Sequence, residues 1–225
     1  VMPHYKGKFP PPWIFNTLLR VYDRIAGKRY FKYFKKDAFL SLNPNIKQDK
    51  FLGASQFSDA VTDDSRLVMR VLDEAIHDGA QAINYLKAES LLTNEQGLVV
   101  GATLKDTAEA NSTTSNNAQT YNVHAKLVVS ATGAWADTLR MQASAKTEQT
   151  FNKQIRPSRG SHLVVSKERL PIEQAYTFLH PVDKRAVFVF PWENRTVLGT
   201  TDLDNPPLGD EEVGITSEEV DYLLA

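Results

Sequence analysis

Two arginines, two serines and a histidine fall within a short stretch of this chain: Arg156, Ser158, Arg159, Ser161 and His162, spaced by Pro157 and Gly160. Arg185 opens a later apolar run, and Gly199-Thr200-Thr201-Asp202 closes the one after it. A guanidinium presents a planar fork of N–H donors that matches a phosphate or carboxylate. The residue types therefore suit capture of an oxyanion, and they equally suit arginines paired with surface acids. A second candidate is Ser130-Ala131-Thr132-Gly133, directly after the apolar run Leu127-Val128-Val129. Small residues at a strand end let something large approach the backbone. Other chemistries are excluded or unsupported. With no cysteine there is no disulfide framework and no Cys-ligated metal. His4, His77, His124, His162 and His180 have no metal-ligand spacing, so no metal site is expected. Neither Gly-x-Ser-x-Gly nor Gly-x-Gly-x-x-Gly occurs.

The elements that must position these residues divide by pattern. Leu67, Val68, Val71, Leu72, Ala75 and Ile76 lie on one face of a helix that Asp78-Gly79 ends. Residues 51–60, 82–86, 97–104 and 121–129 read as strands, with Leu127–Val129 suited to a buried parallel strand. The polar stretch 106–120 reads as a surface loop. In the last third, 161–165, 175–179, 186–190 and 196–199 read as antiparallel strands, turning at Asp183-Lys184-Arg185 and Glu193-Asn194. Residues 13–39 read as a helical hairpin, and Ser217 as the N-cap of a last helix.

The 225 residues carry a net charge of −1, and 42% of them are hydrophobic, enough for a folded core. The balance hides an asymmetry. Residues 1–36 hold nine bases against Asp23 alone, whereas 202–225 hold eight acids and no base. Aromatics interleaved with lysine near Tyr30–Lys36 fit a solvated face or an interface with anionic lipid. Nucleic acid is not expected, because the rest of the chain has no basic surplus. No run of 18 apolar residues is present. The first residue is Val1, and the last helix begins close to Ala225, so a piece of a longer protein is expected.

Five motifs occur in a fixed order: residues 57–67 (Phe-Ser-Asp-Ala-Val-Thr-Asp-Asp-Ser-Arg-Leu), 130–137 (Ser-Ala-Thr-Gly-Ala-Trp-Ala-Asp), 156–165 (Arg-Pro-Ser-Arg-Gly-Ser-His-Leu-Val-Val), 188–193 (Phe-Val-Phe-Pro-Trp-Glu) and 199–202 (Gly-Thr-Thr-Asp). From about Pro10 to its end the chain resembles FAD-dependent glycerol-3-phosphate dehydrogenase. The resemblance implies a mixed α+β and α/β fold, in which part of a glutathione-reductase-like FAD domain interweaves with an antiparallel-sheet substrate-binding cap. It implies a basic helical segment and the start of the substrate domain over 1–57, FAD domain over 58–150, substrate sheet over 151–205, and a linker with a helix start over 206–225. The family's glycine-rich FAD loop would precede Val1 and its C-terminal portion would follow Ala225, so the chain alone is expected to be inactive.

The resemblance further implies oxidation of sn-glycerol 3-phosphate to dihydroxyacetone phosphate, by hydride transfer from C2 to FAD. Electrons then pass to quinone at the membrane surface, or to oxygen. Ala131, Thr132 and Gly133 match the turn that lines FAD. Arg185 matches an arginine that binds the substrate phosphate, with Arg156, Ser161 and Thr201 as further substrate residues. His162 stands as base or orienting group, or as a structural histidine. A cytoplasmic protein, free or peripheral on the inner membrane face, is implied. The sequence departs from the family twice. No base follows Thr-Asp within residues 202–209, where many relatives carry lysine, and Lys167 stands where some have arginine. A related flavoenzyme acting on an amine or a 2-hydroxy acid, or a non-catalytic binding module, therefore stays open.

Overall fold

A computed structural model describes residues 1–108, 119–145, 152–204 and 214–225. The chain forms two units: Val1–Val61 with Ser158–Leu203 and Glu212–Ala225, and Thr62–Pro157 with Asp204–Glu211. The fold is mixed, with five α-helices and antiparallel sheets among the described residues.

The first unit opens with β1 (Met2–Tyr5), α1 (Pro12–Ile25), β2 (Lys32–Lys35), α2 (Lys36–Leu40) and β3 (Phe51–Gln56). Pro12 stands in the first turn of α1, where a missing N–H costs nothing. Gly27, at φ +64°, follows its end. The helical hairpin expected over 13–39 is thus only half present. Residues 32–35 extend and pair with β3, Tyr33 opposite Ser55 and Phe34 opposite Ala54. The reason is the period of two: the alternation of aromatics with lysines suits a half-buried strand. The sheet order is β1-β3-β2. On the edge strand β1 His4 is nonetheless buried, with Nε2 2.7 Å from the Ser55 hydroxyl of β3, which also meets the Asn16 side chain.

The chain returns to this unit through β7 (Ser158–Arg159), β8 (His162–Ser166), β9 (Tyr176–Leu179), β10 (Ala186–Trp192), β11 (Arg195–Gly199) and the short β12 (Leu203–Asp204), and ends in α5 (Ser217–Leu224). Four of these strands form an antiparallel sheet in the order β8-β11-β10-β9. The turns sit where the sequence placed them. Lys184 and Glu193 take positive φ, at 62° and 50°, between β9 and β10 and between β10 and β11. The two sheets share a core of Phe39, Phe51, Ala54 and Tyr176, flanked by Phe34, Ile172, Phe178 and Val189. The Thr177 amide donates to the Val1 carbonyl at 2.8 Å, joining β9 to the start of the chain.

The second unit holds α3 (Asp64–His77), an antiparallel meander of β4 (Leu86–Thr93), β5 (Val99–Asp106) and β6 (Thr120–His124), and α4 (Ala136–Ala145). Asp63 caps α3 by accepting from the Arg66 amide at 3.1 Å. The α3 apolar face is present as its periodicity requires, yet no residue of the helix is buried. Two sequence expectations are corrected here. Residues 82–85 are not a strand, since β4 begins at Leu86, next to Tyr85 at φ 58°. Leu127–Val129 lies outside every strand, with Leu127 77% exposed. Such a run needs flanking strands, and none pairs with it among the described residues. Most of the loop expected over 106–120 lies outside the described residues.

Phe39 is 1% exposed and its ring lies 5.6 Å from that of Phe51. Phe39→Ala should lower unfolding free energy by about 3–5 kcal/mol in urea titration. A variant within about 1 kcal/mol of the parent would show that this cluster is not the core.

Candidate functional site

Arg185 stands at the end of the β9–β10 turn, where β10 begins at Ala186. The turn is built by Asp183, whose carboxylate accepts from the Arg185 amide at 3.1 Å, and by the His180 amide, which donates to the Arg185 carbonyl at 2.8 Å. The Arg185 guanidinium meets the Asp202 carboxylate at 2.9 Å, with Asp183 3.7 Å away. These groups, with Thr201, Leu203, Glu218, Glu219 and Tyr222, line a cavity of about 340 Å³.

Helix α5 closes one side of that cavity. Tyr222 donates to the Asp183 carboxylate at 3.0 Å and stacks on His180, with ring centroids 3.7 Å apart. Burial and the neighbouring Asp183 charge raise the Tyr222 pKa, so its hydroxyl stays a donor. Burial acts to raise the Asp183 pKa. The Arg185 amide, the Tyr222 hydroxyl and the nearby positive charges outweigh it and hold the carboxyl below its ordinary value.

The other tie is Glu219, 1% exposed. Its carboxylate accepts from the Ser161 hydroxyl at 2.8 Å, the Thr201 hydroxyl at 3.0 Å, Arg159 Nη2 at 2.9 Å and the Thr216 amide at 2.9 Å. Thr216, not Ser217, is the N-cap, in a reciprocal capping box with Glu219. The Thr216 amide is the largest influence on Glu219. With Ser161, Thr201 and Arg159 it overcomes burial and draws the pKa down to about 2.

The sequence-derived site residues divide between the two units. Ser161, Thr201 and Arg185 fall in one, joined through Glu219 and Asp202. His162 lies there too. It pairs with Gly199 across β8 and β11, and a Cβ on Gly199 would come within 2.4 Å of its ring. The imidazole has no hydrogen-bond partner among the described residues. Arg156 lies in the second unit, ion-paired with Asp204. Lys167 pairs with Glu173 at 2.9 Å. Most of the stretch after Asp202, in which the resemblance led to the expectation of a lysine, lies outside the described residues. Glu219 and Tyr222 were not singled out as site residues from sequence, and Asp183 and Asp202 were read as turn and motif residues rather than as partners of Arg185, although Thr216-x-x-Glu219 is a readable capping-box pattern.

In the second unit, Ala131 and Thr132 lead into a 3₁₀ turn (Gly133–Trp135) that continues as α4. Gly133 has φ +54°, and nothing lies within 4 Å of where a Cβ would stand. This open turn of small residues fits a bulky cofactor approaching the backbone. Asp137 braces it by accepting from the Ile155 and Gln154 amides, each at 2.9 Å, and from Arg140 at 2.8 Å. These bonds, the Ile155 amide foremost, hold its carboxyl below the ordinary value. No group of metal-ligating side chains occurs among the described residues.

The profile of the FAD dependent oxidoreductase (DAO) family matches residues 14–225, so the chain belongs to that FAD-dependent family. Within the family its likeness is to enzymes of glycerol 3-phosphate. It is 35% identical over 215 residues to the alpha-glycerophosphate oxidase of Streptococcus pneumoniae, covering 93% of this chain and 33% of the relative. It is 32% identical over 234 residues to the aerobic glycerol-3-phosphate dehydrogenase of Bacillus subtilis, covering 100% and 40%. The glycerol-3-phosphate dehydrogenase from Bacillus halodurans, solved with FAD, superposes with a TM-score of 0.70 at 28% identity over 99% of this chain and 37% of that one. L-proline dehydrogenase from P. horikoshii shares the fold, with a TM-score of 0.61 at 15% identity. The chain thus spans a third to two fifths of these glycerol-3-phosphate enzymes.

The Glu219 value carries a pH dependence. A glutamate that titrates near 4.5 unfolded and about 2 folded stabilises the fold above pH 4.5, and that contribution fades as pH falls toward 2. The urea midpoint should therefore drop on acidification from about pH 6 to about pH 3, and drop less steeply in Glu219→Gln. Parallel curves would contradict the assignment.

Proposed function

We propose that the full protein oxidises sn-glycerol 3-phosphate at C2 to dihydroxyacetone phosphate. Arg185 binds the phosphate, and Ala131, Thr132 and Gly133 line FAD. The observation that carries this reading is Arg185 on the wall of a 340 Å³ cavity, in a family whose similar members are named for glycerol 3-phosphate. Bound FAD supplies the acceptor for the hydride leaving C2. Asp202 holds Arg185 Nη1 at 2.9 Å, which fixes the guanidinium and leaves Nη2 to meet an incoming phosphate. Ser161 and Thr201 direct their hydroxyl protons at Glu219, and the buried Thr201 oxygen also accepts from the Ser161 amide, which leaves the Ser161 oxygen as the acceptor toward a substrate hydroxyl. His162, packed on Gly199 and without a hydrogen-bond partner among the described residues, is the group that takes the C2 hydroxyl proton in this reading. Arg156, a further substrate residue in this reading, belongs to the second unit and is ion-paired with Asp204.

Quinone at a membrane surface is the acceptor we favour, because α1 carries an exposed apolar stripe as well as its buried face. Its inward face carries Asn16, Leu19 and Asp23, whereas Leu18, Val21, Tyr22 and Ile25 point outward, with Ile25 82% exposed. Arg20, Arg24, Lys28 and Arg29 border that stripe around a cavity of about 560 Å³. An exposed apolar stripe edged with cations suits an anionic bilayer surface. No helix among the described residues is long and apolar enough to cross a membrane.

In the full-length FAD-loaded enzyme, Arg185→Ala should raise KM for sn-glycerol 3-phosphate about 10–100-fold, the loss expected for a charge-assisted fork. An unchanged KM would remove Arg185 from the phosphate site. Preference for an unphosphorylated amine or hydroxy acid in a substrate panel would overturn the substrate. Co-sedimentation with vesicles should rise with anionic lipid content, and replacing both Leu18 and Ile25 by Asp should weaken it about tenfold or more. Indifference to both changes would contradict the membrane reading.

A further inference from the structure

Capping a helix requires only a neutral acceptor at its first turn, and Glu219 supplies far more. It is a buried carboxylate with side-chain donors from two other segments. Such a charge is costly to bury and is retained only when its partners are fully committed to it. One carboxylate oxygen takes both hydroxyl protons, those of Ser161 and Thr201, while Thr201 Oγ1 itself accepts from the Ser161 amide at 2.9 Å. The other oxygen takes Arg159 and the Thr216 amide. The Thr201 amide donates to the Ser161 carbonyl at 3.2 Å, so the two segments are locked both by backbone and through Glu219. The next residue after Thr201 is Asp202, the carboxylate that faces Arg185. One turn along α5, Tyr222 fixes Asp183, the second carboxylate beside Arg185.

We propose that Glu219 is a positioning residue for the anion site. Through Ser161 and Thr201 it sets the turn that carries Asp202, and so the direction of the Arg185 guanidinium that receives the substrate's oxyanion. The proposal rests on the reading of Arg185 as the oxyanion residue. A purely structural tie would change stability alone. A positioning residue changes anion affinity, and changes it through Thr201.

Two readouts on the full-length FAD-loaded enzyme separate these. One is KM and kcat with sn-glycerol 3-phosphate. The other is the concentration of inorganic phosphate that gives half-maximal protection against thermal unfolding, which needs no turnover. Glu219→Gln should raise both KM and the phosphate midpoint about tenfold, with kcat changed less than about threefold. Thr201→Val should raise the phosphate midpoint alone, yet add nothing in the Glu219→Gln background. A phosphate midpoint unchanged by Glu219→Gln, or fully additive effects, would overturn the proposal. If Glu219→Gln fails to fold, Glu219→Asp keeps the charge opposite Arg159 but shortens the reach. It should shift the midpoint in the same direction, and no shift would overturn the proposal. A wild type protected by phosphate but inert toward glycerol 3-phosphate would defeat the substrate reading while the midpoints still decide on Glu219. A wild type neither protected nor active would overturn both.

Discussion

A single buried carboxylate holds together the parts of the first unit that chemistry needs. Glu219 draws α5, the strand end at Ser161 and the turn at Thr201 onto one point. Without it, α5 would retain its apolar contacts, of which Leu223 is the buried one, but its polar face would have no fixed partner. Because a carboxylate accepts several hydrogen bonds and demands that they be made, its burial selects one arrangement of three segments distant in sequence. Arg185 is the beneficiary. Its two carboxylate neighbours are each held by a residue that α5 fixes, Asp202 through Thr201 and Asp183 through Tyr222.

Local patterns were legible and their long-range partners were not. The α3 face from Leu67 to Ile76 and its cap at Asp63 followed from periodicity and residue type. So did β8 to β11, because alternation and turn residues such as Glu193-Asn194 act locally. Tyr30 to Phe34 misled because the period was two where a helix was expected. Leu127 to Val129 misled because an apolar run states only that it could be buried, not by what. Within the site, Arg185 could be picked out as an oxyanion ligand. That Asp202 faces it, and that Glu219 lies beneath Thr201 and Ser161, depends on contacts between residues 17 to 58 apart, for which no local signal exists. Even so, the Thr216-x-x-Glu219 spacing could have marked the carboxylate's first role as a cap.

The two exposed apolar surfaces carry different meanings. On α3 a whole apolar face stays open, and no residue of the helix is buried. On α1 Asn16, Leu19 and Asp23 lie inside against a partner in β3, while Leu18, Val21, Tyr22 and Ile25 form a second apolar stripe outside. That is the basis for placing a bilayer against it.

The direct test of the account is anaerobic rapid mixing of the full-length FAD-loaded protein with sn-glycerol 3-phosphate or with glycerol, followed through the visible flavin absorbance. The account predicts bleaching by glycerol 3-phosphate that saturates with its concentration, and little or none with glycerol, because Arg185 engages the phosphate. Equal bleaching by both alcohols, or none by glycerol 3-phosphate, would contradict it.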